Sequence, residues 1–490
     1  MGAWPTVDAE FRARVAQAPD APALQDARRV QSYAELEARV ERLARALSGK
    51  GVGKGDRIAI LSENRPEYVE LMLASARVGA ILACLNWRMA PPELALCVAL
   101  VAPRLAFVSP RHAGALEGIR FGEAFESFLS GPGSGYARPD AEDGLLVLFT
   151  SGTTGRSKGA VVSQRALVAR DRILREDRGL GGMDAFVAWS PLFHMGAADP
   201  TLATLMRGGK VIVMDGFDAE ALARIVADEE IGHLTVVPGT VRPFLDALKR
   251  LGRPARGVRA IGAMADLVPR AELAELTALL KAPYCNTFGS TETGPAPASR
   301  GLVPPGEAPA RLPKRQSSMC ELRLVDEAGV DVADGEPGEA LVKSPALFSG
   351  YWGMPEETAA VLRDGWYRMG DVLRRNPDGT LDFVDRRKYL IKSGGENIYP
   401  AELEQVLLAL PQVAEAVVVR RPDARWGEVP VAFVVRRDDA FTEAQAMAAF
   451  DGAVARYKRP AEVRFVALED LPRNASGKVE RAALEKRLAS

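Results

Sequence analysis

Phe149-Thr150-Ser151-Gly152-Thr153-Thr154-Gly155-Arg156-Ser157-Lys158-Gly159 is the stretch on which the reading of this chain turns. Before it, Gly144 to Phe149 is an apolar run of strand length. After it, Ala160-Val161-Val162 is apolar again, and Ser163 is placed to cap a helix opening at Gln164. The pattern predicts a flexible loop between two strands. Hydroxyls on Thr150, Ser151, Thr153 and Thr154, backbone amides freed by Gly152, Gly155 and Gly159, and the ammonium of Lys158 make a donor-rich, cationic surface suited to phosphate oxygens. A Walker A loop is excluded, because no Gly-Lys-Ser/Thr triplet closes it and a strand follows. Most Gly/Ser/Thr-rich stretches are plain solvated turns; the tight spacing ending on Lys158, and the motifs further along, set this one apart.

Outward from the loop, strand and helix patterns alternate. Strands are expected at Arg57 to Leu61, Leu105 to Ser109, Ala185 to Trp189, Lys210 to Met214, His233 to Val237 and Val258 to Ala263, with helices between them, one opening at a Ser32/Glu35 capping box and one at Pro66. Such alternation means an α/β fold of covered, largely parallel sheets. From Glu321 to Val384 short strands between Gly, Pro and Asp turns suggest a β-rich subdomain. Beyond Lys388 a compact α+β unit follows, including a helix expected over Thr442 to Tyr457. The domain reading is 1–387 for a large N-terminal domain and 388–490 for a small mobile one.

Composition narrows the class. The chain has 490 residues, 47% hydrophobic and 26% charged, with a net charge of -1 that supplies no electrostatic reason to bind nucleic acid. Cys84, Cys97, Cys285 and Cys320 form no close pair, which argues against zinc and disulfides and fits a reducing, cytoplasmic setting. There is no signal pattern, and no apolar run approaches the roughly 20 residues of a membrane span.

Five further stretches carry chemistry. Phe288-Gly-Ser-Thr-Glu-Thr-Gly294 follows a strand pattern, and its Glu292 makes sense beside a polyphosphate if a divalent ion lies between them. Trp366-Tyr-Arg-Met-Gly-Asp371 reads otherwise as a turn, as does the Gly-Gly of Lys392-Ser-Gly-Gly-Glu-Asn-Ile-Tyr-Pro400. Asp385-Arg-Arg-Lys388 lies between these two. Near the end, Pro472-Arg-Asn-Ala-Ser-Gly-Lys478 carries a lysine that alone would be an ordinary solvated charge.

Taken in order, these stations resemble the adenylate-forming superfamily, which contains acyl-CoA synthetases, peptide-synthetase adenylation domains and firefly luciferase. The resemblance runs over essentially the whole chain. It implies that the loop Thr150 to Lys158 cradles ATP phosphates, that Thr291 meets the α-phosphate, that Glu292 helps hold Mg²⁺ and that Phe288 lies against adenine. Asp371 would accept the ribose hydroxyls, Arg386 would contact ribose or phosphate, Lys388 would be the hinge and Lys478 the adenylating lysine. His194, in Trp189-Ser-Pro-Leu-Phe-His-Met195, matches an aromatic-His pair near the carboxylate, although its apolar neighbours also suit a core imidazole. His112 and His233 lack such context and read as structural. The chain departs from the family pattern at Ser157 (usually Pro), Met369 (usually Thr), Asp385 (usually Gly) and Gly262-Ala-Met-Ala265 (commonly Gly-Gly-Ala-Pro).

The implied reaction is that of an AMP-forming acid–CoA ligase: MgATP activates a carboxylic acid to an acyl-adenylate, and CoA then takes the acyl group. By resemblance Gly394 and Gly395 would line the pantetheine tunnel, and Trp426, Arg459 and Arg88 would contact the CoA nucleotide, chemistry that an indole face and guanidinium groups suit. By family position the acyl pocket draws on Phe193, Met195, Val237, Thr240, Val241, Gly262, Met264 and Pro295. That set is mostly apolar, which points to a medium-chain fatty or aromatic acid and away from dicarboxylates. Asp199 reads as a solvated loop residue or as a group facing a polar substituent. Two other readings stand beside the ligase: a free-standing adenylating enzyme serving a carrier-protein thiol, and a nucleotide sensor that has lost catalysis. The oligomeric state is not legible, a homodimer being one option.

Overall fold

The computed structural model describes residues 4–151, 157–182, 184–237, 239–263, 268–309, 311–312, 314–393, 396–474 and 477–489. The chain forms two compact units, Met1–Leu322 with Val342–Tyr367, and Arg323–Leu341 with Arg368–Ser490. The 387/388 boundary expected from the sequence lies inside the second compact unit.

In the first unit two large sheets share a core. One runs, in spatial order, through Gly350–Tyr351, Ser157–Ser163, Gly144–Ser151, Ile81–Cys84, Arg57–Leu61, Leu105–Val108 and Ile119–Arg120. The other runs through Leu302–Val303, Tyr284–Asn286, Gly257–Ala263, Glu230–Val236, Ala185–Ala188, Val211–Val213, Pro22–Gln25 and Val30–Ser32. Their centres are parallel; both edges of the second sheet are antiparallel, while the first is antiparallel at the Gly350–Tyr351 edge and parallel at the Ile119–Arg120 edge. Helices Tyr33–Gly49, Pro66–Val78 and Met195–Arg207 supply the apolar side chains that join the inner faces, among them Leu36, Leu43, Tyr68, Leu71 and Leu202 against Ile58, Leu146 and Phe186. Pro66–Val78 is buried on nearly every side, and its two buried charges are ion-paired, Glu70 with Arg39 and Arg77 with Asp8.

In the second unit, residues 371–375 pair with Leu381–Arg386, and a further sheet is built on the long hairpin Val413–Asp423 and Gly427–Arg436. Alternation along that hairpin sends Val418, Ala432 and Val434 to one face with helix Pro400–Leu408. Val417, Val431 and Phe433 go to the other face, with Leu484 of the terminal helix. The helix expected over Thr442 to Tyr457 is much shorter, Glu443–Ala448. Thr442 and Gln445 form its capping box, but Asp451-Gly452 follows with Gly452 at φ +73°, which breaks the helix, and Tyr457 ends in a separate 3-10 turn.

Candidate active site

The strands Gly144–Ser151 and Ser157–Ser163 form an antiparallel hairpin in which Thr150 faces Lys158 and Ser151 faces Ser157. The loop therefore hangs from the end of a hairpin seated beside the parallel strand Ile81–Cys84. Gly152, Thr153, Thr154 and Gly155 lie outside the described residues, as does the side chain of Ser151. Ser157, where the family usually has Pro, donates its hydroxyl to Glu93 Oε1 at 2.9 Å and so ties the base of the loop to the first turn of helix Pro91–Val101.

Gly350–Tyr351 is the other neighbour of this hairpin, and it brings a residue that the sequence did not mark. The Tyr351 phenol donates to Glu292 Oε1 at 2.9 Å, while the Lys158 ammonium lies 4.9 Å from the centre of the same ring. One side chain thus stands between the expected metal carboxylate and the expected phosphate-loop cation. Burial, reinforced by the Glu292 charge, raises the phenol well above its ordinary pKa, so it stays a neutral donor. Glu292 is 8% exposed, and its carbonyl accepts from Phe348 N at 2.8 Å. The turn that carries Thr291 and Glu292 is closed by Thr293, whose hydroxyl accepts from Ser290 N at 2.9 Å and donates to Ala296 O at 2.5 Å. Phe288, paired opposite Ala298, has the Lys314 ammonium 5.7 Å from its ring centre. Tyr351→Phe keeps the ring and removes the donor. It is expected to raise the Mg²⁺ concentration for half-maximal adenylation by about tenfold, the worth of a hydrogen bond to a charged group; a magnesium titration at saturating ATP measures it.

On the side expected to take the acid, His194 is the N-cap residue of helix Met195–Arg207, half-buried, with its ring edge-on to Phe193 at 4.5 Å. Phe193 meets Trp87 at 6.2 Å, Trp87 stacks on His112 at 5.3 Å, and the Arg88 guanidinium lies 4.9 Å over Trp87. The carboxamide of Asn64 donates to the carbonyls of Ala188 and Ser190 and accepts from Leu192 N, which pins this segment to the loop after strand Arg57–Leu61 of the first sheet. Val237 is partly exposed, Thr240 donates to its carbonyl at 2.8 Å, and Val241 packs in the core around Glu230–Val236. A side chain at Gly262 would put its Cβ 2.2 Å from Cε1 of His233, so the imidazole covers that glycine. His233 is buried and held neutral, its pKa far below the ordinary value through burial and the nearby Arg178. Pro295 lies half-buried on strand Gly294–Arg300, and Met264 is outside the described residues. Asp199 fits neither expectation. It sits inside the helix, 6% exposed, and is ion-paired with Arg170 at 2.9 Å, because a buried carboxylate needs a cation.

In the second unit, Asp371 and Arg386 are opposite one another across two strands, Arg386 Nε to Asp371 Oδ1 at 2.9 Å, and Asp371 is 2% exposed. Lys388 lies in a 3-10 turn with its ammonium 4.8 Å over Tyr389, whose ring also carries the Arg481 guanidinium at 4.7 Å. Gly394 and Gly395 are outside the described residues; the strands flanking them pair Ser393 with Glu396, a hairpin register. Trp426 is 48% exposed at the turn of the long hairpin, held by Asp423 Oδ1, which accepts from the Arg425 and Trp426 amides at 2.9 Å each. Arg459 pairs with Asp451. Lys478 is exposed on a tight turn closed by Asn474, which accepts from Lys478 N at 3.0 Å and donates to its carbonyl at 2.9 Å.

Asp385, where the family usually has Gly, is 2% exposed and accepts from Ala401 N at 2.7 Å and Arg386 N at 2.6 Å, joining the residue before the expected hinge to helix Pro400–Leu408. Burial pushes its carboxyl from 3.8 up to about 6, against those two bonds. The folded state therefore holds this proton more tightly than the unfolded chain. The associated stability, up to about 3 kcal/mol, is fully present below pH 3.8 and is lost as pH rises through about 6. Asp385→Asn is expected to flatten this slope, read from urea unfolding of the second unit's signal between pH 4 and pH 7 (about the range the shift spans).

Comparison with known proteins accords with this geometry. The profile of AMP-binding enzymes matches residues 11–352, and that of the AMP-binding enzyme C-terminal domain matches residues 402–478. The chain belongs to this family, the adenylate-forming superfamily, in its acyl- and aryl-CoA ligase branch. It is similar to an indoleacetate–CoA ligase of Aromatoleum aromaticum, 36% identical over 94% of each chain, and to a feruloyl-CoA synthase of Amycolatopsis sp, 34% identical over 99% of each. Among solved structures it resembles o-succinylbenzoate CoA synthetase of Bacillus subtilis with an acyl-adenylate intermediate (TM-score 0.84, 25% identity, 99% of each chain covered). ATP-bound MatB of Rhodopseudomonas palustris is equally similar in fold (TM-score 0.84, 28% identity, 99% of each chain covered). The protein is thus an AMP-forming acid–CoA ligase that uses ATP, Mg²⁺ and CoA. No helix of the described residues is long and apolar enough to cross a membrane.

Proposed function

We propose that this ligase activates an aromatic carboxylic acid, with medium-chain fatty acids as the second class to test. The supporting observation is the acid-side wall, where His194 caps a helix against Phe193 and Phe193 meets Trp87: rings and apolar groups, with the nearby Arg170 already committed to Asp199. The likeness to an indoleacetate and a feruloyl ligase supports the same class.

Glu292 fits a magnesium site. Among the described residues no cluster of three or more His, Cys, Asp or Glu forms a cage, and Mg²⁺ commonly takes one or two carboxylates with substrate phosphates supplying other oxygens. Bound there, the ion would neutralise charge on the phosphates. Lys158 and the loop amides hold the β- and γ-phosphates, Thr291 the α-phosphate, Phe288 the adenine and Asp371 with Arg386 the ribose. The acid's carboxylate oxygen attacks the α-phosphorus, the bond to the bridging oxygen breaks and pyrophosphate leaves. Lys478 stabilises the charge that grows on the α-phosphoryl oxygens in this step. No protein nucleophile takes part. The residues from 388 onward then turn about Lys388, Lys478 withdraws, and Gly394 and Gly395 admit pantetheine so that the CoA thiolate displaces AMP from the acyl carbon. Trp426, Arg459 and Arg88 hold the CoA nucleotide, and the cytoplasm supplies CoA in a reducing setting that suits the free cysteines.

The test is release of AMP and pyrophosphate from MgATP over a panel of indoleacetate, ferulate, benzoate, cinnamate, octanoate, decanoate and malonate, with and without CoA. Turnover that needs CoA and prefers the ring-bearing acids is expected. Preference for octanoate or decanoate overturns the aromatic assignment, and adenylate without CoA turnover moves the acceptor to a carrier-protein thiol. Sedimentation of the same preparation decides between a monomer and a homodimer.

A further inference from the structure

We infer that Arg170 is a positioning residue that, through Asp199, holds the acid-side helix Met195–Arg207 and the Thr291–Glu292 turn in one frame. The inference rests on the ligase reading above and deepens it, since neither residue is part of the machinery assigned so far. Arg170, on helix Gln164–Arg178, is 1% exposed and spends its guanidinium on separate segments. Nη1 donates to Asp199 Oδ2 at 2.9 Å, Nη2 to the Thr291 carbonyl at 2.9 Å and Nε to the Ala346 carbonyl at 3.1 Å. Ala346 lies two residues before Phe348, whose amide holds the Glu292 carbonyl, and the strand that follows carries Tyr351 on the Glu292 carboxylate. The turn thus has one support from Arg170 on Thr291 and another from the segment that Arg170 also grips.

Gly294 shows that the fit is built. It ends this turn at φ +64°, and a Cβ there would come within 2.5 Å of Arg170 Nε. Only glycine allows both that backbone angle and the seat for the guanidinium.

Stability alone is a poor account of the pair. Two charges out of water lose more solvation than an ion pair regains unless every polar atom is satisfied, and apolar replacements of such pairs are often neutral or stabilising. Here Asp199 Oδ1 is buried with no hydrogen-bond partner, so the pair is left with that cost. What it provides is direction: a planar fork fixes the angle between segments far apart in sequence, which dispersion between aliphatic chains does not. Asp199 stands five residues beyond His194 and Thr291 precedes Glu292, so a shift at one end displaces the acid relative to the α-phosphorus. Misplacements of an ångström at a reacting centre cost large factors in rate.

The test compares wild type, Arg170→Lys, Asp199→Asn and the apolar double variant Arg170→Met with Asp199→Leu, all as full chains. Melting temperature, single-turnover adenylation per folded active site, Mg²⁺ half-saturation and Mg²⁺-dependent ATP binding by calorimetry are measured. The double variant, which also leaves the Thr291 and Ala346 carbonyls without that donor, is expected to melt a few degrees lower than wild type and to stay folded, yet per folded site to adenylate about tenfold or more slowly, with Mg²⁺ half-saturation raised several-fold. Arg170→Lys, which keeps charge and loses the fork, is expected to fall in the same direction. A double variant with wild-type rate and Mg²⁺ dependence per folded site overturns the inference, as does a loss explained wholly by unfolded protein. A wild type that forms no adenylate overturns the ligase reading instead. In that case unchanged Mg²⁺-dependent ATP binding across the variants overturns the strut separately.

Discussion

Lys478→Ala slows adenylate formation by about a hundred- to a thousand-fold, the cost of losing one preorganised group aimed at transition-state charge, and leaves thioester formation from a supplied acyl-adenylate near wild type. This is the largest expected effect, because the proposed role of the ammonium is confined to the first half-reaction. Lys478 is exposed and its backbone is closed by reciprocal bonds to Asn474, a placement suited to a group that enters and leaves a site. Quenched-flow measurement of pyrophosphate release, set against CoA thioester formation from synthetic adenylate, separates the two steps. Equal loss in both would mean that one arrangement of the chain serves both reactions, and turning about Lys388 would be wrong.

Glu292→Gln is the second large effect. The amide keeps the shape and can still accept from Tyr351, so the fold around the turn is preserved while the negative charge is removed. Without that charge a divalent ion loses its protein ligand, and adenylation is expected to fall by about a hundredfold with a marked rise in Mg²⁺ half-saturation. Raising Mg²⁺ should restore part of the rate. Tyr351→Phe should move the same titration in the same direction by less, because it removes only the support of the carboxylate. A Glu292→Gln enzyme with wild-type magnesium dependence would place the ion elsewhere.

The local signals in this chain were strong wherever a motif stayed short. Period-two and period-3.6 patterns carried the strands and helices on either side of the phosphate loop, and Ser32/Glu35 and Ser163 cap where their chemistry says they should. The expectation failed over Thr442 to Tyr457, where the helix stops at Ala448 and Asp451-Gly452 with Gly452 at φ +73° prevents its continuation. Asp199 failed for a different reason. Its environment is set by Arg170, 29 positions away, and a charged residue looks the same in sequence whether water or a guanidinium faces it.

By itself, the sequence determined the class of fold and the family, because the motifs at 149–159, 288–294 and 366–371 that carry the resemblance are each encoded within a few consecutive residues. Tertiary structure alone decided how the Thr291–Glu292 turn is held. Tyr351 reads as one more strand aromatic, Arg170 as one more helical cation and Gly294 as one more turn glycine. They gain their roles only when strand pairing and helix packing bring residues 170, 199, 291 and 351 within hydrogen-bond reach of their partners. Contacts of that kind depend on directions in space between segments distant along the chain, and periodicity carries no such information.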